Sequence, residues 1–175
     1  MVQKKIKLSS LKTNLLSKKR IEEICSLKID GWKFNLHEQK KWFKKNIQQN
    51  DLHNCLTLDG NLAGYTCLRK RKYFFLNKKK NYLLFDTIVI KKNYRNLKLG
   101  KKLMKYNNKI IKQNKLPSFL LTTKKKLNFY KKFKWKKNNH NFFLVNHILK
   151  KNKILMNFNF KEKQEKKSIF MVLSI

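Results

Sequence analysis

The chain has 175 residues and a mass of 21.3 kDa, enough for one domain with a sizeable buried core. Hydrophobic residues make up 41% and aromatic residues 13%, which excludes a disordered chain, while one proline and four glycines exclude collagen-like and proline-rich linker classes. The formal net charge of +36 rests on 45 basic residues, only four of them arginine. Phe, Tyr, Met, Ile, Asn and Lys supply 98 of the 175 residues and Gly, Ala, Arg and Pro only ten, the imbalance that A/T-rich codons produce. The lysines therefore read first as a composition bias, since a nucleic-acid binder more often uses the planar fork of arginine. They still favour non-specific, salt-sensitive adhesion to nucleic acid. Three cysteines without a C-x-x-C spacing fit a reduced, cytoplasmic protein. The basic N-terminus lacks the apolar stretch of a secretory signal and reads as a strand and a helix, with an organelle-targeting segment as the minor alternative; no apolar run is long enough to span a membrane.

Weak alternation over Val2, Ile6 and Leu8 suggests a first strand. From Leu11 to Leu27 apolar residues recur at helical spacing, implying one or two helical segments. A further helix is expected from His37 to Gln48, with Trp42, Phe43 and Ile47 on one side. His53 to Leu58 and Leu62 to Leu68 are β-like around the turn residues Asp59-Gly60-Asn61, a hairpin signature. The lysine-rich residues 77–81 read as a loop. Tyr82 to Ile90 is almost wholly apolar, as in a strand buried on both faces at the centre of a sheet. Leu99, Leu103, Tyr106 and Ile110 then form a helical stripe, and Pro117 marks the entry to a short strand, Ser118 to Thr122. A short helix over 124–133 follows, then strands near 142–149, 154–160 and 168–175, with Lys161 to Lys167 as a loop. The order is that of a mixed α/β (α+β) chain with one central sheet flanked by helices.

Chemistry concentrates in the strand–loop–helix over 82–111. At the start of a helix successive amides have no internal acceptor, and the helix dipole favours negative charge. Arg95, Lys98, Lys101 and Lys102 add formal positive charge there, so a pyrophosphate is the natural occupant. The alternative is an ordinary connection carrying solvated lysines. Asp86 is the one acidic residue between Asp59 and Glu162, and it stands inside the apolar strand. A buried carboxylate is costly unless paired or put to use. It could take the proton from an attacking amine, directly or through water, or hold a cationic substrate. Equally, it could be a structural partner for a lysine or face solvent at a splayed sheet edge.

Other candidates carry less. His53, Cys55 and Cys67 could be imagined as a metal set, but their spacing is not a zinc signature, core positions suit them better, and no metal is expected. His37 and His140 lie in polar surroundings and read as surface residues. Trp32, Trp42 and Trp135 read as packing residues, with Trp135 near enough to Tyr130 to line an acceptor pocket as well. Tyr73, Phe74 and Phe75 among lysines suit either a nucleic-acid surface or a strand with solvated neighbours.

Taken together, Arg95-x-x-Lys98-x-Gly100 after the central strand and Phe129-Tyr130-x-x-x-Lys134-Trp135 later in the chain resemble the acetyl-coenzyme A binding core of the GNAT N-acetyltransferase superfamily. The family loop reads Arg/Gln-x-x-Gly-x-Gly/Ala, and its later helix carries Phe-Tyr and then Gly-Phe or Gly-Trp. Lys98 and Lys134 thus stand where the family has glycines. The resemblance covers residues 37–137 in order, including the Asp59-Gly60 hairpin. Trp135 after that position, an acidic residue on the central strand and the closing Ser168 to Leu173 are similar to the aminoglycoside 2′-N-acetyltransferase branch.

The resemblance implies a single domain over 1–175 with a central, mostly antiparallel sheet whose central strands splay between flanking helices. It implies acetyl-coenzyme A as co-substrate, with the backbone of Ile88, Val89 and Ile90 pairing with the pantetheine arm. Arg95, Asn96, Leu97, Lys98, Leu99, Gly100 and Lys101 would cradle the pyrophosphate. Tyr130 would stand near the coenzyme sulfur as general acid, with Asp86 as base or substrate holder and Trp135 beside the acceptor. The implied activity is acetyl transfer to a primary amine by direct attack, the acceptor being a small molecule or peptide and the protein a monomer or homodimer. The rival readings are a non-catalytic basic protein binding RNA or the ribosome, and a degenerate coenzyme A binder weakened at Lys98 and Lys134.

Overall fold

The computed structural model describes residues 5–75, 78–138, 141–145, 153–161 and 170–174. In chain order the elements are β1 (Ile6–Lys12), α1 (Lys18–Ile29), α2 (Leu36–Asn46), β2 (Leu52–Leu58), β3 (Asn61–Phe75), β4 (Lys78–Ile90) and α3 (Leu99–Gln113). There follow β5 (Ser118–Thr122), α4 (Lys124–Lys131), β6 (Lys136–Lys137), β7 (Asn141–Val145), β8 (Ile154–Phe158) and β9 (Phe170–Ser174). The hydrogen-bonded strand order is β1-β2-β3-β4-β5-β8-β6, with β9 joined to β3 and β7 to β9. The β1–β2, β2–β3, β3–β9, β5–β8 and β6–β8 ladders are antiparallel, whereas β4–β5 and β7–β9 are parallel. This is the mixed, mostly antiparallel sheet expected from the sequence.

By packing the chain divides into two compact units, Met1–Arg69 with Asp86–Ile110 and Lys70–Phe85 with Ile111–Ile175. In the first, α1 starts where Ser17 Oγ accepts from the Arg20 amide at 3.1 Å. The start of α2 is a reciprocal box, in which Asn35 Oδ1 accepts from the Glu38 amide and Glu38 Oε2 from the Asn35 amide. One apolar cluster gathers Ile24, Cys25, Phe43, Cys55, Tyr65, Cys67 and Val89, and another gathers Leu56, Leu58, Ala63, Leu99 and Leu103. The alternation of Cys55 with Leu56 between them is the period-two signature of a strand covered on both faces. All three cysteines are free and buried in this unit. Gly64 is closely approached: a Cβ there would lie 2.7 Å from Ile90 Cδ1 and 3.2 Å from Leu103 Cδ2, so a larger residue must displace those methyls. A buried polar triad fastens α3, with Asn54 Nδ2 donating to Thr66 Oγ1 at 3.1 Å and to Asn107 Oδ1 at 2.9 Å.

The second unit has an aromatic core of Tyr73, Phe75, Tyr82 and Phe119 with Leu84 and Leu155. Its rings meet edge to face, Tyr82 and Phe119 at 5.2 Å and Phe119 and Phe160 at 5.1 Å. The β4–β5 ladder pairs Leu83 with Ser118 and Leu84 with Phe119 and goes no further among the described residues. Ser118 Oγ locks that register by donating to the Leu83 carbonyl at 2.7 Å.

Three expectations shift. Residues 78–81 are strand, not loop, because β4 begins at Lys78 and is a sheet neighbour of β3; pairing with a neighbouring strand outweighs the low β-preference of lysine. The first strand, expected over 2–8, runs Ile6–Lys12 among the described residues and so extends past Leu8. Leu11 and Leu15, read as helical, are exposed, and the helix starts at Lys18. Val2, His140, residues 146–149 of the strand expected near 142–149, residues 162–167 of the expected loop and residues 168, 169 and 175 of the last expected strand lie outside the described residues.

Candidate functional site

After β4 the chain makes one 3-10 turn over Lys92–Tyr94 and then a loop into α3. Asn96 and Lys98 take left-handed backbone conformations, with φ of 66° and 56°. Among the described residues the amides of Asn96, Leu97, Lys98, Leu99 and Gly100 donate no hydrogen bond. The Lys101 and Lys102 amides, by contrast, return to the Lys98 carbonyl at 3.1 and 3.3 Å, so Lys101 offers the loop its side chain alone. A run of unspent amides ahead of a 15-residue helix is an arrangement that favours an anion. A Cβ at Gly100 would meet only Ile90, at 3.8 Å. The fold itself therefore does not demand glycine there, and a closely approaching ligand would.

Arg95 is exposed, and its guanidinium turns back onto the chain. Its Nη2 donates to the Asp30 carbonyl at 2.6 Å and its Nε to the Ile90 carbonyl at 3.4 Å. Asp30 Oδ2 in turn accepts from the Lys92 amide at 2.7 Å. The guanidinium thus braces the loop, and Asp30, which the sequence reading passed over, is its anchor. Ile88, Val89 and Ile90 lead into this loop from β4, with Val89 buried and the two isoleucines half-buried.

Asp86 is paired, and its partner is an arginine. Arg69 Nη1 donates to Asp86 Oδ1 at 3.3 Å, and Thr87 Oγ1 donates to Oδ2 at 3.0 Å. The Asp86 side chain is 19% exposed, that of Arg69 5%. The Arg69 guanidinium lies 5.5 Å from the Trp42 ring, and Lys28 Nζ lies 3.6 Å from the same ring and 5.6 Å from Trp32. Burial pushes the Lys28 ammonium below its ordinary pKa, with the nearby Asp86 charge working against that fall. The sequence reading named neither Lys28 nor Arg69. A signal for Arg69 did exist, because arginine is scarce in a chain that writes lysine wherever it can.

In the second unit Tyr130 sits on α4, 8% exposed. Its ring meets Phe85 edge-on at 6.1 Å and Trp135 at 6.4 Å, and burial pushes the phenol up to about 12. Trp135, expected to line an acceptor pocket, is 1% exposed and stacked on Phe158 at 5.5 Å, so its ring is packed in the core. Lys134 has φ of 65° while its amide donates to the Lys131 carbonyl at 3.0 Å. Both positions where the family carries glycine therefore keep a glycine-like backbone while bearing lysine.

The remaining candidates are structural. His53 Nδ1 bonds to the Tyr65 hydroxyl at 2.7 Å and Nε2 to Thr13 Oγ1 at 2.8 Å, so neither ring nitrogen is spare for a metal. Burial lowers its pKa to about 4, and burial likewise raises the Cys55 and Cys67 thiols. Among the described residues no cluster of metal-ligating side chains occurs, and no helix is long and apolar enough to cross a membrane. Tyr73 and Phe75 are buried in the aromatic core, and only Phe74 of that trio is exposed.

A family model described as the acetyltransferase (GNAT) family matches residues 21–135. Among solved structures, ElaA of Escherichia coli is similar at 14% identity and a TM-score of 0.64, covering 87% of this chain and 99% of that one. The ribosomal-protein-S18-alanine N-acetyltransferase of Escherichia coli matches at 13% identity and 0.62, covering 92% and 97%. Naa50 of Arabidopsis thaliana, in complex with the bisubstrate analogue CoA-Ac-MVNAL, matches at 16% identity and 0.59, covering 87% and 99%. No curated protein matches the chain in sequence.

Proposed function

The chain belongs to the GNAT acetyltransferase family, and on that premise we propose that it is a single-domain, acetyl-coenzyme A-dependent N-acetyltransferase acting on a primary amine by direct attack. The observation that carries this reading is the run of unspent amides from Asn96 to Gly100 at the start of α3. Two of the similar structures bear names of the same kind, one an N-acetyltransferase and one held with a coenzyme A–peptide bisubstrate analogue.

The co-substrate supplies an activated acetyl thioester. The loop amides hold its diphosphate, and the backbone of Ile88, Val89 and Ile90 extends along the pantetheine arm as an added strand would. A backbone N–H of that strand donates to the thioester oxygen as negative charge develops there. Asp86 orients the amine and receives its proton, directly or through water. Tyr130, held protonated across the neutral range, donates to the departing sulfur. A phenol near 12 is a weaker acid than a free thiol of about 8.5, so completed transfer to a solvated thiolate is uphill by roughly 5 kcal/mol. Tyr130 therefore works first as a hydrogen-bond donor, and finishes the transfer only to a sulfur itself desolvated by the site.

Two measurements together test the proposal. Acetyl-coenzyme A should raise the melting temperature at a salt concentration where RNA does not, and thiol should be released when an amine panel is added. Stabilisation by RNA alone, with no thiol release from any amine, would leave the basic-protein reading in its place.

A further inference from the structure

The cluster around Asp86 is unbalanced in charge. Two cations, Arg69 and Lys28, 4% and 6% exposed, are set against one carboxylate. Arg69 carries five side-chain N–H donors; among the described residues its side chain makes one hydrogen bond, to Asp86, and its buried Nε has no partner. Lys28 Nζ lies on the Trp42 face and makes no hydrogen bond among the described residues. An uncompensated buried cation is costly, and an anion brought in by a ligand relieves it. At the edge of the cluster Asp86, Trp32 and Trp42 are half-buried. Trp32 also walls a cleft of about 430 Å³ at the α1–α2 connection, together with Asp30, Lys33 and Phe34.

Resting on the acetyltransferase reading, we propose that the acceptor is an amine bearing a carboxylate close to its nitrogen, as an amino acid does. Asp86 takes the ammonium end, while Arg69 and Lys28 take the carboxylate through charge-assisted hydrogen bonds. The Trp32 cleft receives the rest of the molecule. A polycationic acceptor is disfavoured, because it adds charge where two cations already face one carboxylate.

The test compares each common amino acid with its own amide as acceptor, on the unmodified protein, following thiol release at about 0.5 M salt to screen the lysine-rich surface. At least one amino acid should exceed its amide by about tenfold or more in kcat/KM, through KM. Amine protonation biases against this outcome, since the amide has the less basic nitrogen. Lys28→Met should collapse the ratio towards one, whereas Lys44→Gln, on the exposed side of α2, should preserve it. Amides turned over as well as or better than the amino acids in every pair would overturn the inference while leaving the acetyltransferase intact. Absence of turnover with these acceptors and with the wider amine panel would instead remove the acetyltransferase reading. The charge preference is then decided by calorimetric binding of the same pairs, where equal affinity overturns it and a tenfold preference for the carboxylate upholds it.

Discussion

Lys134→Gly should make the protein more stable. A residue with a Cβ in the left-handed region costs about 1–2 kcal/mol relative to its preferred backbone, and Lys134 is held there with φ of 65°. Glycine removes that cost but loosens the unfolded chain, by about 0.4–1 kcal/mol. The net expectation is a gain of about 0.5–1 kcal/mol. Unfolding entropy of about 2.1 cal/mol/K per residue gives roughly 370 cal/mol/K for 175 residues, so the melting temperature should rise by about 1–3 °C. Lys132 supplies the control from the same turn, since its φ of −58° is right-handed. Lys132→Gly incurs the unfolded-state loosening without relieving anything and should lower the melting temperature by a similar amount. Scanning calorimetry on the two variants reads the sign directly. If both substitutions lower the melting temperature equally, the backbone at Lys134 is not strained and the argument fails. Lys98→Gly, with φ of 56°, should behave as Lys134→Gly does and leave the KM for acetyl-coenzyme A no higher, because the loop contributes amides there rather than the side chain.

His53 should make stability fall in mild acid. Its pKa drops from 6.5 to about 4 on folding, so between those values the unfolded chain binds the extra proton; the contribution of about 3 kcal/mol is complete above pH 6.5 and is lost as the pH falls towards 4. Urea midpoints between pH 7.5 and 4.5 should show this slope, and His53→Gln should flatten it; equal slopes would remove the histidine from the account. Gly64→Ala should destabilise by about 1–3 kcal/mol through overpacking against Ile90 and Leu103, measured by chemical denaturation, and an unchanged midpoint would contradict the close approach. Tyr130→Phe should lower kcat by about a hundredfold with little change in acetyl-coenzyme A binding, and an unaltered kcat would exclude the phenol from sulfur departure. Asp86→Asn should cut acetyl transfer while coenzyme binding persists, and full turnover would take the carboxylate out of the mechanism.

What the sequence disclosed depended on how far its lysines hid the pattern. The stripe of Leu99, Leu103 and Ile110 and the apolar run Tyr82 to Ile90 are written in apolar residues, which the bias can exchange for one another without erasing the hydrophobic pattern, and they became α3 and the inner part of β4. The lysines at 78–80 concealed the outer end of the same strand, because solvated lysine looks alike in a loop and on an exposed strand end. The loop around Gly100 was legible from spacing, yet the bond from Arg95 to Asp30 was not, since a guanidinium donating to a carbonyl 65 residues away leaves no trace in local sequence. Lys28 was invisible among so many equivalents. Each of the four arginines makes a defined polar contact, with Glu23, Asp86, the Lys70 carbonyl and the Asp30 carbonyl, so in such a composition it is the rarer cation that marks structure.

The placement of the thiols has a practical consequence. Cys25, Cys55 and Cys67 all lie in the first unit, and the second contains no sulfhydryl at all. An alkylating reagent added to the native protein is therefore a clock for transient opening of one half of the molecule, blind to the other. Mass increments accumulated over time would count excursions of the β2–β3 hairpin and α1, and any ligand seated at the α3 loop should slow that clock without the introduction of a single reporter group.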